Sequence, residues 1–310
     1  MSLWWAGASK KRRQVITVPE TAAGSGSRGQ TRRHEGERGP SPYLVGNLRA
    51  VWGRAYVRVV GTNRELSWVF FEILLPILAV AAYVYIYRSL HAPEVFVGYA
   101  VLGGAISAYW LHVLWGMGST FYFDKQSGQL ELFFIAPISR MAILGGMALG
   151  GIVQTTVRAG GVVVLGSLAF GVEYRSDTLG LLVLTFLVTL VALYGLGMVF
   201  ASLFLLHGRE AWHLSNLLQE PVFLLAGFYF PVKVLGFWVA TLASLVPLTL
   251  GLDALRQLAF ADAGMGFLPA RVELIINAGL AALYLVAASL ALGYMERVAK
   301  REGRLTLRWQ

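Results

Sequence analysis

Three ionisable side chains stand inside long apolar runs of this sequence, where a charge is costly. Arg158 lies near the middle of one run, and Glu72 and Glu220 lie within two others. An unpaired charge at the centre of a bilayer costs at least ~2.5 kcal/mol, so each should face a partner, a wet cavity or the interface. Two interpretations of Arg158 stay open. It forms an ion pair with Glu72 or Glu220, or it lines a path through the membrane and meets an anionic head group.

Other kinds of chemistry have no motif in the chain. There is no GxxxxGK[ST] phosphate loop, so we expect no ATP bound by this chain alone. The five histidines lack metal-ligand spacing such as HExxH, and we interpret each as a loop or helix-end residue. Cysteine is absent, which excludes disulfides and thiolate metal sites. We therefore predict no metal, no cofactor and no catalytic residue on this chain, which is not expected to be an enzyme.

The elements that carry these charges are membrane spans. Of 310 residues, 56% are hydrophobic and 14% are charged, and one helical crossing needs about 20 apolar residues. The sequence predicts an all-α integral membrane protein with six transmembrane helices, over 67–87, 96–117, 141–170, 178–206, 212–230 and 272–292. A further apolar stretch, 235–250, contains Gly236 and Pro247 and is too short to span, which favours a re-entrant hairpin.

Basic residues predict the orientation. With six spans, twenty Lys and Arg residues fall on the side of the two termini and five on the other side. The positive-inside rule then places both termini in the cytoplasm. The net charge of +9 makes anionic membrane lipid the expected partner, and basic residues split among separate loops make nucleic acid a poor one. We expect a multi-pass protein of the plasma membrane, of bacterial type.

Four segments follow from composition. Residues 1–43 read as a disordered basic cytoplasmic tail, 44–66 as an amphipathic interfacial helix, 67–295 as the six-span domain and 296–310 as a second basic cytoplasmic tail. The interfacial helix is predicted to carry an apolar face with a polar face opposite. The apolar face comprises Leu48, Val51, Trp52, Ala55, Tyr56, Val59 and Val60, and the polar face Asn47, Arg49, Arg54 and Arg58.

Residues 123–140, between the second and third spans, are too polar to cross a bilayer. Leu130, Phe133 and Phe134 recur at i, i+3 and i+4, which gives a short helix an apolar face. Such a helix on a water-facing turn is expected to contact a soluble partner. Before the last span, Pro231 and Pro247 lie on either side of one predicted short helix, 235–246, and a second short helix is predicted over 248–260. We interpret the two as an outer re-entrant pair.

This layout resembles the membrane subunit of an ABC-2 type transporter, an exporter family, over about residues 45–297. One block of similarity is the coupling-helix loop, with its acidic-basic, Gly-x-Leu-Glu-x-Leu and Pro-Ile-Ser pattern, here Asp124, Lys125, Gly128, Leu130, Glu131, Leu132, Pro137, Ile138 and Ser139. The other block resembles the outer re-entrant segment, here Phe230, Pro231, Trp238, Pro247 and the run Asp253-Ala254-Leu255-Arg256. Asp124 departs mildly from the family pattern, where Glu is commoner.

The resemblance implies an ATP-driven exporter for a drug, lipid or glycan. Two permease chains, either two copies or one copy with a paralogue, would pair with two ABC ATPase subunits that carry ATP and Mg. The implied coupling residues are Asp124, Lys125, Gly128, Leu130, Glu131, Phe133, Phe134 and Pro137. The residues proposed for the translocation path are Glu72, Tyr109, Arg158 and Glu220.

Two other classes compete with this interpretation. An ion-coupled secondary transporter would use Glu72, Arg158 and Glu220 as a relay, although the sequence shows no inverted repeat. An integral membrane enzyme for lipid-linked substrates would need grouped carboxylates, whereas Asp253, Asp262 and Glu273 are scattered along the sequence. A neighbouring gene that encodes a soluble ATPase would favour the exporter over both the secondary transporter and the membrane enzyme.

Overall fold

A computed structural model describes residues 42–62, 66–118, 124, 127–129, 136, 138–207, 210–260 and 264–301. Within these ranges the chain is helical and contains no strand, as predicted. The helices are α1 (Pro42–Thr62), α2 (Leu66–Ser89), α3 (Val95–Leu111), α4 (Arg140–Phe170), α5 (Leu179–His207), α6 (Glu210–Leu225), α7 (Phe237–Ala243), α8 (Pro247–Ala259) and α9 (Ala270–Arg301). A π-helical segment, His112–Met117, continues α3, and a 3₁₀ turn, Val232–Leu235, precedes α7. Residues 1–41 of the predicted tail 1–43 and residues 302–310 lie outside the described ranges, and α1 begins within that tail at Pro42.

Five helices in the described ranges are long and apolar enough to cross a membrane. Their spanning windows are Val69–Ser89, Val95–Met117, Arg140–Phe170, Leu179–Leu203 and Ala270–Tyr294. They match predicted spans one to four and six. The second window is 78% buried within the protein, whereas the first is 11% buried and the last 17%. The α3 segment is therefore the central helix of the bundle, and α2 and α9 lie at its periphery.

The fifth predicted span, 212–230, is not among these helices. Helix α6 has 16 residues, which amounts to about 24 Å at 1.5 Å per residue and is shorter than a bilayer core of about 30 Å. It ends because the backbone turns at Gly227, whose φ of +65° is open to glycine. The sixth candidate is instead the pair α7 and α8, bent by 110°. This bent pair occupies the stretch for which the sequence predicted two broken helices.

Arg256 explains why the chain turns after α6. Its buried guanidinium donates hydrogen bonds to the carbonyl oxygens of Gly227 at 2.8 Å, Phe228 at 2.5 Å and Phe230 at 3.1 Å. A fourth bond reaches the carbonyl of Tyr99 in α3 at 3.0 Å. A helix cannot continue through 227–230 while these carbonyls face a side chain of α8. The bent pair is thereby fastened to the central helix.

Helix α1 packs against α4 through glycines. A Cβ atom at Gly146 would lie 2.8 Å from the Val51 carbonyl oxygen, and one at Gly150 would lie 3.1 Å from the Ala55 Cα. Two glycines four residues apart leave a groove in which the backbone of another helix can lie. The contact brings α1 as close to the bundle as side chains permit.

The same contact divides the residues of α1 differently from the prediction. Arg54 and Arg58 were expected on a polar face away from the apolar side, but they face the bundle together with Ala55, which is buried. The exposed side carries the apolar residues Leu44, Leu48, Trp52, Tyr56 and Val60, together with Arg49. The glycine groove in α4 is the reason, because it accepts the backbone at Val51 and Ala55 and so turns the neighbouring arginines inward.

Substitution of Gly146 by Ala should destabilise the protein. The added Cβ atom would lie 2.8 Å from Arg54 Cβ and from the Val51 carbonyl, and overpacking of this kind costs about 1–3 kcal/mol. Gly160→Ala, on the same helix, is the control because no atom lies within 4 Å of its added Cβ. Melting temperatures in detergent should fall for the first variant and hold or rise for the second. Equal melting temperatures would contradict the close α1–α4 contact.

Substitution of Arg256 should loosen the turn after α6. Lysine offers a point charge rather than a planar fork, so Arg256→Lys should lower the unfolding free energy by roughly 3 kcal/mol, and Arg256→Met should lower it further. Arg271→Lys, at an exposed position early in α9, is the matched control. The check is equilibrium unfolding in mixed micelles. Stability equal to that of the control would show that the four carbonyl bonds contribute nothing.

Candidate functional site

A cavity of about 650 Å³ lies inside the bundle. Helices α1, α2, α3, α4 and α6 and the π-helical segment supply its walls. Its polar wall comprises Arg58, Glu72, Ser107, His112, Gln154, Thr155 and Arg158. Its apolar wall includes Leu75, Pro76, Ala79, Leu111 and Phe223. The volume falls within the range of roughly 300–1,000 Å³ that is usual for small-molecule sites.

Arg158 and Glu72 meet in this cavity as an ion pair between α4 and α2. Of the two partners that the sequence left open for Arg158, the structure pairs it with Glu72. Glu220 is exposed and accepts a hydrogen bond from the Gln219 amide at 3.1 Å. The arginine side chain is 10% exposed and the glutamate 29%, so this pair is largely shielded from solvent. Separating it would leave a costly unpaired charge.

A second chain of hydrogen bonds crosses the cavity from α1 to α5. Arg58 Nη2 lies 3.1 Å from His112 Nε2, and His112 Nδ1 lies 3.1 Å from the Tyr194 hydroxyl. An arginine can only donate, so Nε2 must accept and the ring proton must sit on Nδ1. The imidazole is therefore neutral, and its N–H donates to Tyr194. Arg58 Nη2 also donates to the carbonyl of Gly116 at 3.1 Å.

Glycines make room for the His112 ring. A Cβ atom at Gly151 would lie 2.1 Å from His112 Cε1, and one at Gly116 would lie 2.7 Å from Nε2. His112 directly follows the end of α3 and begins the π-helical segment inside the second span. Single π-helical turns inside helices frequently occur at functional sites because they redirect side chains.

Helix α1 is bonded to both ends of the polar segment between the second and third spans. Arg54 forms an ion pair with Asp124 near the start of that segment. The Asn47 side-chain oxygen accepts a hydrogen bond from the Ser139 backbone N–H at 2.7 Å, just before α4 begins. Burial raises the pKa of Asp124, and the charges of Arg54 and Arg58 oppose that rise.

Of the predicted coupling residues, the structure describes two. Asp124 is buried, and its carbonyl accepts a hydrogen bond from the Ser127 hydroxyl at 3.2 Å. Gly128 follows in a turn with φ of +73°, a conformation that favours glycine. The others lie outside the described residues, namely Lys125, Leu130, Glu131, Phe133, Phe134 and Pro137.

The remaining predicted positions are dispersed. Tyr109 is buried and donates to the Thr156 hydroxyl at 2.8 Å, so it does not line the cavity. At the bent pair, Phe230 supplies a carbonyl to Arg256, while the side chain of Trp238 is 82% exposed. Pro231 precedes the 3₁₀ turn, and Pro247 is the first residue of α8. None of these last four residues lines the cavity.

Two carboxyl groups that are far apart in the sequence meet beside α8. Gln257 Nε2 lies 3.1 Å from Asp253 Oδ2 and 3.2 Å from Glu273 Oε2. Asp253 also accepts the backbone N–H of Phe267 at 2.7 Å, and Glu273 accepts that of Leu268 at 3.2 Å. These bonds fasten the segment before α9. Within the described residues no group of three or more possible metal ligands occurs.

Arg58, His112 and Gln154 line the cavity and were not identified from the sequence as site residues. A signal for Arg58 existed: it follows Arg54 by one helical turn, so the two share a face. The paired glycines of α4 indicated which helix could accept that face. His112 carried no such signal, because its contacts come from three other helices, α1, α4 and α5.

A comparison with protein families agrees with this all-helical architecture. Residues 47–260 match the model of the family described as ABC-2 type transporter. A comparison with curated proteins gives no match. The match covers more than half of the chain, from α1 to the end of α8, and includes every helix that lines the cavity. The chain therefore belongs to the ABC-2 type transporter family and is the membrane-spanning permease component of an ABC transporter.

Proposed function

We propose that this permease is driven by a separate ATPase that acts on the segment 124–139 and on α1 together. The observation that carries the proposal is that α1 contacts that segment twice, through the Arg54–Asp124 ion pair and the Asn47–Ser139 hydrogen bond. A displacement of the segment would therefore also displace α1. Proteins of this family normally work with an ABC ATPase, which supplies the required partner.

The route from the segment to the cavity is short. Arg54 pairs with Asp124, and Arg58, one turn further along α1, contacts His112 and lines the cavity. A rotation or shift of α1 would therefore move a guanidinium that borders the cavity. Rigid displacement of a helix of this kind is a common way to switch a path between inward and outward access.

The ATPase contact itself would be made by the apolar face of the segment. Leu130, Phe133 and Phe134 would anchor in a groove of the ATPase, with Lys125 and Glu131 as polar contacts. Two permease chains, as two copies or with a paralogue, would pair with two ATPases. ATP and Mg would be bound by those ATPases, and this chain would bind neither.

The exposed apolar side of α1 would lie in the membrane interface. Leu44, Leu48, Trp52, Tyr56 and Val60 form a stripe that is suited to lipid tails and head-group boundaries. With both termini in the cytoplasm of a bacterial-type plasma membrane, α1 would lie on the inner leaflet. The cargo would be a drug, a lipid or a glycan, moved outward.

The ATPase contact can be tested with Phe133→Asp. A carboxylate in an apolar groove should abolish co-purification with the ATPase, because an unpaired buried charge is strongly unfavourable. Leu90→Asp, at an exposed position in the turn after α2, is the control and should keep the complex. If the Phe133 variant still binds the ATPase, or if the chain moves cargo on an ion gradient without one, the proposed drive is wrong.

The transmission step can be tested with Asp124→Asn. The amide keeps the shape but removes the charge that pairs with Arg54, so the ATPase should still bind while stimulation of ATP hydrolysis by the permease falls about tenfold. Asp177→Asn is the control, because it breaks an exposed ion pair with Arg175 in another loop. The readout is the hydrolysis rate of the purified complex. Unchanged stimulation, or loss of the ATPase itself, would contradict transmission through α1.

A further inference from the structure

The cavity inside the bundle is lined by both polar and apolar side chains. Arg158, Gln154 and Arg58 face it from α4 and α1, while Leu75 and Phe223 face it from α2 and α6. A ligand that satisfies both walls must have a polar head and an apolar body. The cavity volume of about 650 Å³ accommodates a molecule of drug size.

The charge of the polar wall is positive. Arg58 and Arg158 each contribute a positive charge, Glu72 contributes a negative one, and the bond from Arg58 fixes His112 as neutral. The described lining therefore carries one net positive charge inside an apolar bundle. Because a charge in such surroundings is costly unless compensated, the cavity favours an anion over a cation.

Two residues of this wall present buried polar atoms that form no hydrogen bond among the described residues. These atoms are Arg158 Nη2 and Gln154 Oε1, and the two residues are only 9% and 4% exposed. The guanidinium N–H needs an acceptor, and the amide oxygen needs a donor. A head group with an anionic oxygen and an O–H, such as a singly protonated phosphate, would satisfy both.

Helix α2 offers a route of entry. It lies at the periphery of the bundle, with 11% of its spanning window buried. An amphiphile could therefore pass from the bilayer alongside α2 with its head directed inward.

We propose that this cavity binds an anionic amphiphile, with its phosphate-like head at Arg158, Arg58 and Gln154 and its apolar body against Leu75 and Phe223. That the bound molecule is cargo rests on the proposed function. Binding itself does not, since it can be measured on the permease alone. Loss of the ATPase complex and loss of binding are therefore separate results.

The test uses the purified full chain in phosphatidylcholine nanodiscs and calorimetry with dodecyl phosphate as the probe. Saturable binding of one probe per chain is expected, with dodecyl trimethylammonium not bound. Arg158→Gln should weaken binding about 10- to 100-fold, the effect of a buried charge-assisted bond. Arg88→Gln, at the opposite end of α2 and away from the cavity, is the control.

Two further variants separate binding from folding. Glu72→Gln should tighten binding of the phosphate severalfold, because it removes the negative charge of the wall, whereas damage to the fold would weaken it. Gln154→Leu should weaken binding about tenfold and leave the protein folded, because it replaces a buried oxygen without a partner by a methyl group. Equal affinity for the cationic probe would overturn the proposal. So would wild-type binding in both Arg158→Gln and Gln154→Leu.

The source of the anion can be distinguished in the same system. Native mass spectrometry after extraction from bilayers that contain phosphatidylglycerol reports whether a phospholipid stays bound. A retained phospholipid that is lost in Arg158→Gln would identify a membrane lipid as the occupant. Binding of dodecyl phosphate without a retained phospholipid would identify a single-chain amphiphile.

Discussion

The close contact between α1 and α4 determines where the charged side chains of α1 lie in this bundle. Gly146 and Gly150 let the α1 backbone approach α4, and that approach turns Arg54 and Arg58 inward. Each arginine then finds a polar partner that a lipid environment could not provide, Asp124 for one and His112 for the other. Without the glycines, α1 would stand further out and its arginines would have to reach water at the interface.

This arrangement joins two regions that a permease must connect. The segment between the second and third spans is fastened to α1 at Asp124 and Ser139, and α1 reaches the cavity with Arg58 one turn later. The Arg158–Glu72 pair holds the other side of the cavity between α4 and α2. Charged groups buried in a membrane protein usually mark its functional path, and in the proposed function they also connect the segment to the cavity.

The sequence predicted the long spans and the broken helices before α9 because both depend on local patterns, apolar length and proline position. It did not predict that α6 stops at Leu225, because the cause is Arg256, a side chain about thirty residues later that binds the turned carbonyls. It placed Arg54 and Arg58 on the correct helix but on a face away from the bundle, since periodicity shows which residues share a face and not what that face meets. Arg158 was identified from its charge alone, whereas its partner among two carboxylates depended on tertiary packing.

The most direct test of this account is a cross-link between α1 and α4. The chain has no cysteine, so Val51→Cys with Gly145→Cys would introduce its only thiols, and a Cβ at Gly145 lies 4.0 Å from Val51 Cγ2. Mild oxidation in native membranes should join this pair rapidly and should not join Trp52→Cys with Gly145→Cys, because the Trp52 side chain is 69% exposed and points away. The reverse result would mean that the arginines of α1 face away from the bundle, and the link from segment to cavity would not exist.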